Sequence, residues 1–172
     1  FLKGVSYKEL SEATSQPERA VWFDLAPDAV EVLRQLPGYH DFDHSVETLR
    51  MNRPGTGCKD APRCWSMKLA TATNDKFGAV PVTADDQLLV RHRSQSGRKE
   101  LEFICTKHVD DIKCGASDHV TNEFLSALES VFGKGEIDVT KVDFTCCGVR
   151  HSRRPDGSYE MDQIEFISAL RC

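Results

Sequence analysis

An apolar stretch that alternates, breaks on a pair of acids and then resumes constrains this chain more than any other feature. Leu101, Phe103 and Cys105 fall on one face of an extended segment running to Lys107. His108-Val-Asp-Asp111 interrupts the segment, and Ile112 to Cys114 takes up the extended pattern again. Strand residues alternate faces and a tight turn reverses the chain, so this arrangement predicts two strands joined at a bend. The clearest helix of the chain follows at once. Over 118–132, Val120, Phe124, Leu128 and Val131 line one side, Ser117 is placed to cap the start and Gly133 closes the end.

The chain from residue 62 continues in the same style. Trp65, Leu69, Ala72 and Phe77 fit one face of a helix that Gly78 stops. Leu88 to His92 reads as a strand, Ser94-Gln-Ser-Gly97 as a turn and Val139 to Val149 as strand-like. Pro155-Asp156-Gly157 is a turn, because proline fixes φ and glycine accepts a positive one. Asp162 and Glu165 have the spacing of a capping box that opens a last helix to Leu170. The order helix, strand, strand, helix, strand, strand, helix predicts an α+β fold, an antiparallel sheet with helices packed on one face. Residues before 54 are less regular. Val21 to Leu25 suggests a short strand, Asp28 to Leu36 a helix ended by Pro37-Gly38, and Pro54-Gly55-Thr56-Gly57 a loop.

Length and composition set bounds on function. The chain has 172 residues, 40% hydrophobic and 28% charged, which suits one domain or part of one and excludes a largely disordered chain. No apolar run is long enough to span a bilayer, and no signal-peptide core is visible. Because the first residue is Phe1, the expectation is a segment of a longer reading frame or a processed product. Lys and Arg total 22 against 27 Asp and Glu, a net charge of -5. Free-standing nucleic-acid binders are usually basic, so such a role would rest on local patches. Two exist, Arg91, His92, Arg93, Arg98 and Lys99, then Arg150, His151, Arg153 and Arg154; solvated strand edges explain them as well. Seven cysteines without a Cys-x-x-Cys pair read as reduced thiols of an intracellular protein.

Asp110 and Asp111 are the candidate catalytic and metal-binding residues. At the tip of a hairpin both carboxylates are exposed together, and they repel unless a cation sits nearby. Hard oxygen ligands suit Mg2+ (or Mn2+), which keeps waters and bridges to phosphates. Two-metal phosphoryl transfer uses such carboxylates. An Asp-Asp dipeptide by itself is also ordinary turn chemistry.

Residues 101–115 resemble the hairpin of reverse transcriptases in which a hydrophobic strand leads into Tyr-x-Asp-Asp. Gly57-Cys-Lys-Asp-Ala-Pro-Arg-Cys-Trp65 is similar to the Gly-Leu-Lys-Gln-Ala-Pro-Arg-Ala-Trp motif of copia-type retrotransposon polymerases. Phe1-Leu-Lys-Gly4 resembles the Phe-Leu-Asn-Gly that follows the motif A aspartate there. Gly148-Val149 and Asp156-Gly157-Ser158 resemble downstream steps of the same family. The landmarks occur in the family's order, covering 54–170 well and 1–53 loosely. The resemblance implies residues 1–53 as the segment after motif A, linking fingers and palm, and 54–172 as an incomplete, ferredoxin-like palm core. It implies RNA-directed DNA synthesis with an RNA template, a DNA primer and deoxynucleotides, in a cytoplasmic particle or the nucleus. Asp110 and Asp111 would hold the metals, and Lys59, Asp60 and Arg63 would approach nucleotide and template. By that alignment the motif A aspartate and the fingers lie before Phe1, and the thumb and RNase H domain lie after Cys172. The chain alone is therefore expected to be inactive. His108 replaces the family's Tyr and Asp60 its Gln; an acid beside a triphosphate repels it, so Asp60 is instead expected to pair with Arg63 or Lys59.

Three other constellations and two other functions have weaker support. His40-Asp-Phe-Asp-His44 would bring two imidazoles to one zinc on a helix, but it follows Pro-Gly and lacks a third ligand, which suits a polar loop. Cys146, Cys147 and His151 suggest a soft-metal site. Strand parity would point the two thiols to opposite faces, which favours a buried structural role. Trp65 is a possible base-stacking ring but sits among core residues. A non-enzymatic single-stranded RNA-binding module would use the open sheet face, yet the central strands lack the paired aromatics for stacking. A decayed transposon remnant would account for the replacements at 108 and 60.

Overall fold

The computed structural model describes residues 4–55, 57–95, 97–108 and 111–170. Helices and antiparallel sheets are mixed, an α+β fold, in two compact units, Phe1–Met67 and Lys68–Cys172. The division falls between Met67 and Lys68, inside a helix.

In the first unit, helix α1 (Tyr7–Thr14) starts at a closed capping box. The Ser6 hydroxyl accepts from the Glu9 N–H at 3.2 Å, and the Glu9 carboxylate accepts from the Ser6 N–H at 2.6 Å. Strands β1 (Trp22–Phe23) and β2 (Leu49–Arg50) pair antiparallel, with Trp22 opposite Arg50. Between them runs α2 (Pro27–Leu33), whose proline occupies the first turn, where no N–H is needed. It stops three residues short of Leu36, before Pro37. Helix α3 (Ala61–Ala70) begins in this unit. The Gly4 backbone lies so close to it that a Cβ there would fall 2.8 Å from the Cys64 carbonyl carbon.

In the second unit, α3 runs on into a π-helical segment, Thr71–Lys76, and the chain leaves it at Gly78 with φ +80. Strands β3 (Val80–Val82), β4 (Asp85–Gln95), β5 (Arg98–His108) and β6 (Asp111–Ala116) form an antiparallel sheet in chain order. The β4–β5 reversal is tighter than the expected Ser94–Gly97 turn, since Gln95 already pairs with Arg98. Helix α4 (Asp118–Phe132) has the expected limits, capped by Ser117 and closed at Gly133. Val120, Phe124 and Leu128 are buried. Phe124 meets Phe103 of β5 and Phe77 with ring centres 4.8 and 5.0 Å apart, the centre of this unit's core.

Leu101 departs from the expected face. Arg91 pairs with Phe103 and His92 with Leu101, so Glu102 is an extra residue. That bulge breaks the alternation, leaving Phe103 and Cys105 buried and Leu101 54% exposed.

The sheet does not continue through Val139–Val149. Only β7 (Phe144–Cys146) forms there, and it joins β8 (Val149–Arg153) and β9 (Tyr159–Asp162) in a separate three-stranded sheet. Positive φ at Val142, Cys147 and Gly148 interrupts any longer strand. Helix α5 (Ile164–Ala169) is not opened by a capping box. At its start the Asp162 Oδ1 accepts the Ile164 N–H at 3.1 Å. Among the described residues, no helix is long and apolar enough to cross a membrane.

Candidate active site at the β5–β6 hairpin

His108 closes β5 and Asp111 opens β6, and the two are the last paired residues of the ladder. Anchoring comes from below: Phe103 and Cys105 of β5 are sealed in the core, and burial pushes the Cys105 thiol up to about 12. The two strands therefore carry His108 and Asp111 to an exposed end. Asp110 lies outside the described residues.

Asp111 does not stand among other acids. Its Oδ2 accepts from the Cys147 N–H at 3.4 Å, and the Cys146 and Cys147 sulfurs are 3.8 Å apart. These three ligand atoms lie within 4.8 Å of one another and are the one group of three or more potential metal ligands among the described residues. The expectation that the thiols diverge is corrected here. Cys146 pairs with Val149, so Cys147 and Gly148 form the turn, with φ 52 and 75. Strand parity stops at Cys146, and the left-handed turn brings the second thiol back beside the first. Neither cysteine is fully buried. Burial raises the Cys146 thiol, with Cys147 and Asp111 adding to it and Lys113 opposing.

His151 is not the third member of this group. It is buried, its ring stacked on Phe144 at 4.7 Å. Nδ1 faces the Val149 carbonyl at 3.0 Å and Nε2 faces Lys113 Nζ at 2.7 Å. The carbonyl can only accept and the ammonium only donate, which assigns the ring proton to Nδ1 and leaves Nε2 as acceptor. Both nitrogens are thus engaged.

Lys59, Asp60 and Arg63 belong to the first unit and His108 and Asp111 to the second. Lys59 and Arg63 are exposed. Asp60 forms its ion pair with Arg19, not with Lys59 or Arg63. That partner lies 41 positions away and no local spacing signals it. The His40–His44 stretch is turn and loop, not helix; His40 Nδ1 meets the Arg34 carbonyl at 2.8 Å. Hydrogen bonds from Ser45 hold the Asp43 carboxyl below the usual range. Two members of the first basic patch are ion-paired, Arg91 with Glu102 and Glu123 and Arg93 with Glu100.

No family model, curated protein or solved structure matches this chain. The site therefore rests on its own geometry. What that geometry offers is one exposed carboxylate at the start of β6, two thiols beside it and a Lys113–His151 pair nearby.

Proposed function

We propose that the chain is the acid-bearing palm segment of a copia-type reverse transcriptase, acting in an intracellular particle or the nucleus, and that it does not polymerise on its own. The observation that carries the reading is the pairing of His108 with Asp111 at the exposed end of a hairpin whose first strand, β5, is anchored in the core by Phe103 and Cys105. This is where a polymerase needs its Asp-Asp pair, held on rigid elements and open to a primer end. Sequence order supplies the rest, from the Lys59–Arg63 segment through the hairpin to Asp156-Gly157. An RNA template, a DNA primer and deoxynucleotides are the expected partners.

Nucleotidyl transfer would take two Mg2+ ions at the Asp110–Asp111 pair, of which Asp111 alone lies among the described residues. Those ions take oxygen ligands, whereas the donors grouped with Asp111 among the described residues are two thiols. No catalytic step is assigned through a metal here. The role of this chain is to present its acids to a site that other segments complete.

The single-stranded RNA-binding alternative has less support. Among the described residues, β4, β5 and β6 carry one Phe, Tyr or Trp, and that residue, Phe103, is buried.

Primer extension tests the proposal. On a primed RNA template with Mg2+, the chain alone gives no incorporation. Joined to a segment that supplies fingers and a motif A aspartate, it gives template-dependent incorporation. Synthesis by the isolated chain, or none by the completed one, overturns the reading.

A further inference from the structure

The geometry points to a second kind of site on this chain: Asp111, Cys146 and Cys147 form a binding site for a thiophilic divalent cation such as Zn2+. It goes beyond the polymerase reading and stands whether or not that reading holds.

Three observations carry it. The first is spacing. A metal about 2.3 Å from each sulfur, with a tetrahedral angle between them, sets the two sulfurs about 3.8 Å apart. The Cys146 and Cys147 sulfurs are 3.8 Å apart already. The second is convergence from separate elements. Asp111 opens β6, while the cysteines end β7 and start the β7–β8 turn, yet all three ligand atoms lie within 4.8 Å of one another. The third is pre-organisation. Cys147 holds a left-handed φ of 52, uncommon for a non-glycine residue, and its N–H is aimed at the Asp111 carboxylate.

Donor chemistry selects the ion. Two thiolates and one carboxylate suit Zn2+ or Cd2+ and are a poor set for Mg2+ or Ca2+. Three protein ligands leave a fourth position for water. Binding exchanges the two thiol protons, released to solvent, for two metal–sulfur bonds, and nothing is oxidised. An oxidised Cys146–Cys147 pair would have no thiolate to offer, so the site exists only in the reduced protein.

Co2+ and Zn2+ added alone to the reduced, chelator-treated chain test this. Co2+ is expected to give thiolate charge-transfer and tetrahedral absorption bands saturating at one equivalent. The C146S/C147S double variant loses the bands, whereas C58S/C114S keeps them. D111N weakens Co2+ by more than the roughly 10–100-fold that loss of an outer-shell partner costs. Peptide mapping after alkylation gives a second readout: Zn2+ protects Cys146 and Cys147 and leaves the other thiols unchanged. Bands that persist in C146S/C147S, Co2+ affinity unchanged in D111N, or Zn2+ protection at other cysteines overturns the site. Circular dichroism matching the parent chain shows that the variants fold.

Discussion

The Arg91 guanidinium lies 3.9 Å from the centre of the Phe77 ring and donates to the Phe77 carbonyl at 3.1 Å. The same group meets Glu123 at 2.7 Å, and its Nε faces Glu102 at 2.7 Å as an ion pair without a directed hydrogen bond. Arg91 thus lids the aromatic cluster on which the hairpin is anchored. Its side chain is 18% exposed, so solvent screens these contacts only in part. Arg91→Ala is expected to destabilise the second unit by on the order of 2 kcal/mol, read as a shift in the urea midpoint. An unchanged midpoint would show that the stacking contributes nothing.

Acid sensitivity follows from the same pair. A hydrogen bond from Arg91 holds the Glu123 carboxyl below its ordinary value, with the charges of Arg91 and His119 adding. A carboxyl depressed in the folded state stabilises above its unfolded value, and that contribution is lost as pH falls through the folded one. Glu123→Gln is therefore expected to flatten the fall in stability on acidification, with little change below the folded value. Thermal midpoints across the acid range measure it.

Gly4 packs where no side chain fits. A Cβ would meet the Cys64 carbonyl carbon at 2.8 Å and the Trp65 nitrogen at 2.9 Å, both backbone atoms that cannot swing aside. Gly4→Ala is expected to cost about 1–3 kcal/mol, located in the first unit. Hydrogen exchange localises the loss: α1 and the start of α3 lose protection, while β4 and β5 keep theirs.

Thiol reactivity separates the cysteines by burial. Cys64 and Cys105 are sealed, and burial raises both thiols, Cys105 to about 12. Among the cysteines of the described residues, iodoacetamide is expected to label Cys147 first and Cys105 last under native conditions, with Cys105 reacting only on unfolding. Rapid native labelling of Cys105 contradicts the burial described for β5.

What the sequence revealed depended on whether the signals were local. Helix α4 was legible to its limits because period, cap and stop all lie within Ser117–Gly133. The hairpin was legible because the acids break a clean alternation. Helix α1 is not among the expected elements although Ser6 and Glu9 carry its capping box, since it is only 8 residues long and buries only Tyr7. The Glu102 bulge has no single-residue signature, so alternation alone places Leu101 on the core face. Strand parity separates Cys146 from Cys147, whereas Gly148 signals that a two-residue turn begins between them. Neither the Asp60–Arg19 pair nor the approach of Asp111 to Cys147 leaves a mark in local sequence, because both join distant segments.

The most direct test lies in the acid pair itself. In a polymerase completed by fingers and a motif A aspartate, Asp110→Ala is expected to abolish deoxynucleotide incorporation while circular dichroism stays that of the parent. Incorporation retained by Asp110→Ala would contradict the account.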